Sequence, residues 1–329
     1  MQVKKLIIYI AVLMLLAVSL KFAGDGFAKK SENPKVAVTI DDLPFVSAGK
    51  PNGDYTTLKK EKTAQLIEKL LEYKIPAVGF VVSSRLNKNG KPDAANRELL
   101  NMWMDAGLEL GNHTYSHPSL HKVQVYEYID NIEKGHEHLE PVMAKKGKTP
   151  RYFRHPMLHT GRTMDIKKQV GHVLNKKGYT IAPVTIDNSD WLFALAYNKA
   201  GVKGDKTLQK KIADAYIPYM EKKFEYYENQ SCDLLGYRVN QILLLHANIL
   251  NADHIDRLAA MLKKRGYTFL TLEEALKDNA YKLGDPFTGS AGISWIHRWA
   301  LAKGKKGPFF EGEPETPDFV KKAANIISE

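Results

Sequence analysis

The chain has 329 residues, 44% of them hydrophobic and 26% charged, the balance of an ordinary globular protein rather than a disordered tail or a multi-span membrane protein. Its formal net charge is +11, but the basic residues form no long block of like charge, which argues against a nucleic-acid-binding arm. The single cysteine, Cys232, excludes an internal disulfide and a cysteine-rich zinc ribbon, so any metal must be held by histidines and carboxylates.

The length fits two ordinary domains or one α/β barrel. Lys4 and Lys5 precede an apolar run over residues 6–20, broken only by Tyr9 and Ser19. That run is short for a membrane span, which needs about 20 apolar residues. It matches a secretory signal, with Gly26-Phe27-Ala28 placing small residues for cleavage after Ala28. Residues 1–28 are therefore expected to be a signal peptide, or an uncleaved anchor. Either way the body of the protein is expected to be exported: periplasmic, in the cell envelope or secreted.

Strands and helices then alternate. A β-branched run over 36–40 predicts a strand, and an apolar stripe over 57–73 predicts a helix. Residues 77–82 read as a buried strand, 94–106 as a helix closed by Gly107, and 108–110 as a brief strand. A helix over 123–146 leads to a Gly-Lys-Thr-Pro turn and a strand at 151–153. A helix over 164–177, a strand over 179–186 and a helix over 208–227 come next. The strongly apolar strand 241–245, a helix over 253–265, a strand at 267–270 and a helix at 272–277 complete the series. This alternation argues for a parallel α/β sheet, open or closed into a barrel. Residues 285–329, rich in Gly, Pro and Lys, read as a C-terminal extension, with a short aromatic-anchored helix at 294–300.

Chemistry-capable side chains gather at the carboxyl ends of these strands. Asp41 and Asp42 follow the first strand, and His113 and His117 follow 108–110. Arg154 follows 151–153, Asp187 and Asp190 follow 179–186, and His246 follows 241–245. An isolated Asp in such a place is usually a turn or cap residue, and a lone His is usually structural. Five coincidences at the end where parallel α/β folds build their sites are harder to assign to chance. Neighbours in an extended segment point to opposite sides, so Asp41 and Asp42 cannot share one role. One can bind a metal while the other holds a neighbouring water. His113 and His117 have the i, i+4 spacing of metal ligands if their loop turns helically. No Glu follows His113, so the zinc-protease helix motif is absent. With a carboxylate from another strand the pair makes an Asp-His-His site with open positions, suited to zinc and a bound water.

These segments resemble the polysaccharide deacetylases (carbohydrate esterase family four, the NodB-homology domain). Thr39-Ile-Asp41-Asp42-Leu-Pro44 is similar to that family's TFDDGP motif, and His113-Thr-Tyr-Ser-His117 to its H-S/T-x-x-H motif with one extra residue. Arg154-His-Pro156-Met157 resembles RxPY, Asp187-Asn-Ser-Asp190-Trp191 resembles DxxDW, and Leu243-Leu-Leu245-His246 matches LxLH. All five fall in order within residues 36–275. Leu43 stands where the family has Gly, and Met157 where it has Tyr. The first departure alters the loop around the base; the second removes an aromatic wall but keeps a backbone N–H.

The resemblance implies a distorted (β/α) barrel over residues 29–284 and a hydrolase acting on linear amides. Asp42, His113 and His117 would bind a divalent metal, zinc first. Asp41 would be the general base, oriented and held ionised by Arg154. The Met157 N–H would help to stabilise the oxyanion. His246 would protonate the leaving amine, supported by Asp190 or Asp187, with Asp190 slightly favoured. Leu243 and Leu245 would help to line an acetyl pocket. Trp191 offers a flat face for a sugar, or equally is a core residue. The implied partner is an acetylated polysaccharide or oligosaccharide, above all N-acetylglucosamine in peptidoglycan or chitin-like chains. No nucleic acid is implied, and a membrane only through an uncleaved anchor. An O-acetyl esterase of the xylan type, a catalytically weak carbohydrate-binding protein and a non-haem iron oxygenase are the competing readings. His136 and His138 read as a solvated helix face. His121, His155 and His159 lie near the motifs without an assigned role, and Cys232 reads as an incidental thiol.

Overall fold

In the computed structural model, residues 33–46 and 55–327 are described, and the expected signal segment 1–28 lies outside them. All elements below belong to one unit, Pro34–Glu329. In chain order they are β1 (Lys35–Leu43), α1 (Tyr55–Glu72), β2 (Val78–Val81), β3 (Asn87–Lys88), β4 (Lys91–Pro92), α2 (Ala94–Asp105) and β5 (Glu109–Asn112). Then follow α3 (Val125–Ala144), β6 (Tyr152–Phe153), α4 (Met164–Lys176), β7 (Thr180–Ile181), α5 (Asp190–Val202) and α6 (Lys206–Leu235). The chain closes with β8 (Gln241–His246), α7 (Ile249–Lys264), β9 (Thr268–Leu270), α8 (Leu272–Ala275), α9 (Trp295–Ala302) and α10 (Asp318–Ala324).

β1 is buried along nearly all its length, as a strand covered on both faces must be. β2 runs parallel to it with Thr39 opposite Val78, and β8 runs parallel with Val36 opposite Gln241 through to Asp41 opposite His246. β9 pairs with the start of β1. The parallel sheet runs β7-β6-β5-β2-β1-β8. The segment leaving β7 then curls back to β8. Ile186 bridges Leu243, and the amides of Thr185 and Ile186 both donate to the Ile242 carbonyl, at 3.0 and 3.1 Å. The sheet thus meets itself as a distorted (β/α) barrel. The single strand expected over 179–186 is split into β7 and this bridge. Pro183, which has no N–H to give a ladder, sits at the break.

The sequence reading passed over α5. Its residues are apolar nearly all round, and most are buried, so no polar stripe marks a helical period. α6 extends beyond the expected 208–227 at both ends. Asp205 caps its start, accepting from the Leu208 amide at 2.9 Å, and left-handed Gly236 ends it. The aromatic-anchored helix expected at 294–300 is α9, with Trp295 and Trp299 buried. Its entry is tied to the broken strand: Ser294 Oγ donates to the Thr185 carbonyl at 2.8 Å, and the Trp295 amide to the Val184 carbonyl at 2.7 Å.

Thr185 carries the closure through its side chain as well, accepting from the Ile242 amide at 2.7 Å. Thr185→Val keeps the shape and leaves that buried N–H unpaired. It should cost about 1–3 kcal/mol in a chemical denaturation experiment. An unchanged midpoint would show that the closure does not need this bond.

Candidate active site

The register of β1 shifts between Ile40 and Leu43, so a bulge falls at Asp41-Asp42. Asp42 adopts a left-handed backbone, φ 71°. A bulge re-aims a side chain, and here both carboxylates line one cavity of about 940 Å³. Leu43 is fully buried beside Gly79 of β2, where an added Cβ would lie 2.5 Å from the Leu43 side chain. The glycine therefore makes the room that Leu43 occupies.

His113 follows β5, and its loop reaches His117 through left-handed Thr114 and His117, φ 68° and 61°, rather than through a helical turn. The Thr114 amide donates to Asn112 Oδ1 at 2.8 Å, and the His117 amide to Thr114 Oγ1 at 3.0 Å, which fixes the loop. The ligating atoms of Asp42, His113 and His117 come within 4.8 Å of one another. His113 Nδ1 lies 2.8 Å from the Arg154 carbonyl, which can only accept. The proton is thus on Nδ1, and Nε2 keeps its lone pair for a metal. Asp42 Oδ1 is buried and accepts no hydrogen bond. Two imidazoles and one carboxylate whose Oδ1 accepts no hydrogen bond suit a divalent cation with open positions. Burial pushes the Asp42 carboxyl up, but Arg85, His246, His113 and His117 outweigh it and hold it at about 2. Arg85 also donates to the Asp42 backbone carbonyl.

Asp41 is 3% exposed, with Oδ2 at 3.6 Å from His113 Nε2 and 3.5 Å from Arg154 Nη1. Burial raises its carboxyl to about 6 in spite of Arg154 and His246. Arg154 therefore restrains the rise without holding Asp41 at an ordinary carboxylate value. Its Nη2 is committed elsewhere, donating to Thr39 Oγ1 at 2.8 Å, and Thr39 donates in turn to the Leu243 carbonyl at 2.7 Å.

On the other side, His246 Nδ1 lies 2.7 Å from Asp190 Oδ1. Asp190 is fully buried in the first turn of α5, and its Oδ2 accepts from the His246 amide at 2.9 Å and from Asn251 Nδ2 at 2.7 Å. Burial pushes the His246 imidazole down, but the charge and hydrogen bond of Asp190, with Asp42 and Asp41, raise it to about 9. Asp190, rather than Asp187, thus meets His246. Asp187 lines the same cavity and is raised to about 6, chiefly by burial, with Lys223 opposing.

Met157 and Trp191 line the cavity with 44% and 42% of their surfaces exposed, so Trp191 is not a core residue. Leu243 and Leu245, expected at the acetyl pocket, are instead fully buried, and Leu244 lines the cavity. Successive side chains alternate in direction along a strand, so the two outer leucines share a side that the middle one does not. His155 bonds Tyr128, His159 bonds Ser119 and His121 bonds the Ser290 carbonyl; none of the three lines this cavity. Thr39, Arg85 and Asn251 were missed from sequence. Arg85 follows β2, so the strand-end rule could have found it; Thr39 inside β1 and Asn251 on α7 carry no such signal. The wall formed by Phe310, Gly312 and Glu313 was also missed, because nothing in 285–329 marks it.

The polysaccharide deacetylase family model matches residues 28–182. A peptidoglycan-N-acetylglucosamine deacetylase of Listeria monocytogenes is 25% identical over 247 residues, covering 75% of this chain and 40% of the relative. One of Bacillus cereus is 26% identical over 166 residues, half of each chain. The chain thus spans half or less of these relatives' length. A mutant of a CE4 family pseudoenzyme superposes with a TM-score of 0.50 at 19% identity, over 75% of this chain and 68% of that one, and shares the fold.

The turn that presents Met157 is braced from the C-terminal segment. A Cβ on Gly292 would lie 1.9 Å from the Met157 carbonyl oxygen, and Arg298 Nη2 donates to the Leu158 carbonyl at 2.6 Å. Gly292→Ala should move this turn. It should lower stability by about 1–3 kcal/mol and speed amide exchange at 157–160. Unaltered melting and exchange would contradict the contact.

Proposed function

Residues 28–182 belong to the polysaccharide deacetylase family, and on that premise we propose that this chain is an exported, zinc-type metal-dependent hydrolase that removes acetyl groups from N-acetylglucosamine units of peptidoglycan or chitin-like glycans. The observation that carries the reading is one cavity lined by three kinds of group: the Asp42-His113-His117 donor set, the buried Asp41 with Arg154 behind it, and His246 with Asp190 behind it. The names of the Listeria and Bacillus relatives support N-acetylglucosamine as the substrate unit.

A divalent ion held by Asp42, His113 and His117 would polarise the acetyl carbonyl and acidify its water. Asp41 accepts the proton of the attacking water, and Arg154 and Thr39 keep its carboxylate in place. The backbone N–H of Met157, at the cavity wall, donates to the oxygen that gains charge. His246 donates its Nε2 proton to the departing amine. Asp190 fixes the opposite nitrogen and favours the charged imidazolium that can give this proton. An amine is a poor leaving group unless protonated, so a well-supported acid favours amides over esters as natural substrates. The export assignment rests on residues 1–28, and no helix among the described residues is long and apolar enough to cross a membrane.

The direct test is acetate release from N-acetylglucosamine oligomers, peptidoglycan and acetylated xylan. Zinc-loaded protein should release acetate and free amine in equal amounts from the first two, and a chelator should stop it. Release from xylan alone would make the protein an ester hydrolase. His246→Ala should keep its metal and lose roughly a hundredfold or more on the amide, with a smaller loss on an aryl acetate, whose leaving group needs no proton. Equal losses would make His246 structural. Asp42→Asn should lose metal and turnover together. Asp41→Asn should keep close to one metal per chain and lose most of its turnover, with KM little changed. The reverse metal contents would exchange the two roles.

A further inference from the structure

A second cavity, of about 470 Å³, opens beside β7, between α4 and the segment that leads from α8 to α9. That volume lies within the range of about 300–1,000 Å³ found for ligand sites. It shares no lining residue with the catalytic cavity. Ile181, Pro183, Leu276 and Trp295 give it apolar walls.

Gly171 of α4 also lines it. Glycine is among the poorest helix formers, and inside a helix it usually marks a close packing contact. Gly135 of α3 is such a case, because an added Cβ would lie 2.6 Å from Asn112 Oδ1. At Gly171 an added Cβ would meet nothing within 4 Å. Packing therefore does not call for this glycine. Lys167, four residues earlier on the same face of the helix, lines the same cavity, so a side chain at 171 would project into it.

The polar groups set the class of ligand. His155 lines the cavity and is 3% exposed. Its Nδ1 lies 3.0 Å from the hydroxyl of the fully buried Tyr128, which has no other partner among the described residues. That hydroxyl must donate, since its proton would otherwise be unpaired, and the ring proton is then on Nε2. Burial first, and then Arg298, hold the imidazole down at about 3, so the ring stays neutral. Nε2 bonds no group among the described residues and is not sealed from solvent, which leaves it as a donor to the cavity. Asp285 is the one carboxylate among the lining residues. Its Oδ2 already accepts from Lys167 Nζ at 2.6 Å, Arg298 Nη1 at 2.7 Å and Thr160 Oγ1 at 2.8 Å. Lys282, exposed at the mouth, donates to the neutral amide of Asn279 at 2.8 Å. Three cations thus meet one saturated carboxylate, and the surplus positive charge favours an anion over a cation.

We propose that this cavity is a second ligand site, for a small organic acid with an apolar body and one carboxylate. The body lies against Trp295, Ile181 and Leu276, and the carboxylate accepts from His155 Nε2 in the field of Lys167 and Lys282. The site is separate from the catalytic cavity, so it stands or falls independently of the glycan reading.

The test is calorimetric titration of the full zinc-loaded chain with phenylbutyrate, octanoate and indoleacetate, each beside its primary amide. At least one acid should bind roughly tenfold or more tighter than its amide, as expected for charge-assisted hydrogen bonds. Gly171→Leu should fill the cavity and lose roughly tenfold or more in affinity for that acid. Its melting temperature should hold or rise, since leucine is the better helix former. Lys282→Glu, at the exposed mouth, should weaken the acid by a similar factor and leave the amide unchanged. Binding that both variants leave intact would put the acid elsewhere, on the metal above all, and overturn the site. Equal affinity for acids and amides, or no binding by any of the three acids, would overturn it as well.

Discussion

The parallel register between β1 and β8 sets Asp41 opposite His246, and the Ala247 amide locks that alignment by donating to the Asp41 carbonyl at 3.0 Å. Side chains alternate along a strand, so a slip of one residue would turn either group away from the cavity. The bulge after Ile40 then adds what regular pairing could not. It brings two successive carboxylates to one space, with Asp42 toward the histidines and Asp41 toward Arg154. Thr39, one turn of the pleat earlier, ties the two strands and Arg154 together through its hydroxyl. The positions of both carboxylates and of His246 thus follow from main-chain pairing at the centre of the sheet.

Burial shapes the chemistry of these groups in opposite directions. Asp41 loses water and gains only a partial partner in Arg154, so its carboxyl rises. His246 also loses water, but Asp190 faces it with a fully buried carboxylate that Asn251 and the His246 amide already saturate on the other oxygen. A low-dielectric site strengthens whichever charge partner is closest, and here that partner is 2.7 Å away. One side of the cavity is therefore suited to accept a proton and the other to give one.

Much of this was legible in the sequence, for a specific reason. Parallel strands end in loops at one side of a sheet, so Asp41, Asp42, His113, Arg154, Asp190 and His246 could be gathered before any coordinates were known. What sequence could not resolve was direction. Asp187 lies just before α5 and Asp190 is its first residue, and only the start of that helix turns Asp190 onto His246. The leucines of β8 posed the same problem, and Leu244 rather than its neighbours faces the cavity. α5 itself was invisible because a helix buried on all sides shows no amphipathic period. The C-terminal wall was missed because its contributions, the close approach of Gly292 and the Glu313-Lys223 pair, depend on contacts far apart in sequence.

The account stands on the convergence of Asp42, His113 and His117, whose donor atoms lie within 4.8 Å of one another. X-ray absorption at the metal edge of the zinc-loaded protein reads that ligand set directly. The predicted spectrum has two imidazoles and light oxygen ligands with no sulfur, and His117→Ala should remove one imidazole shell. A sulfur ligand, or a spectrum that His117→Ala and Asp42→Asn both leave unchanged, would place the metal elsewhere and contradict the site.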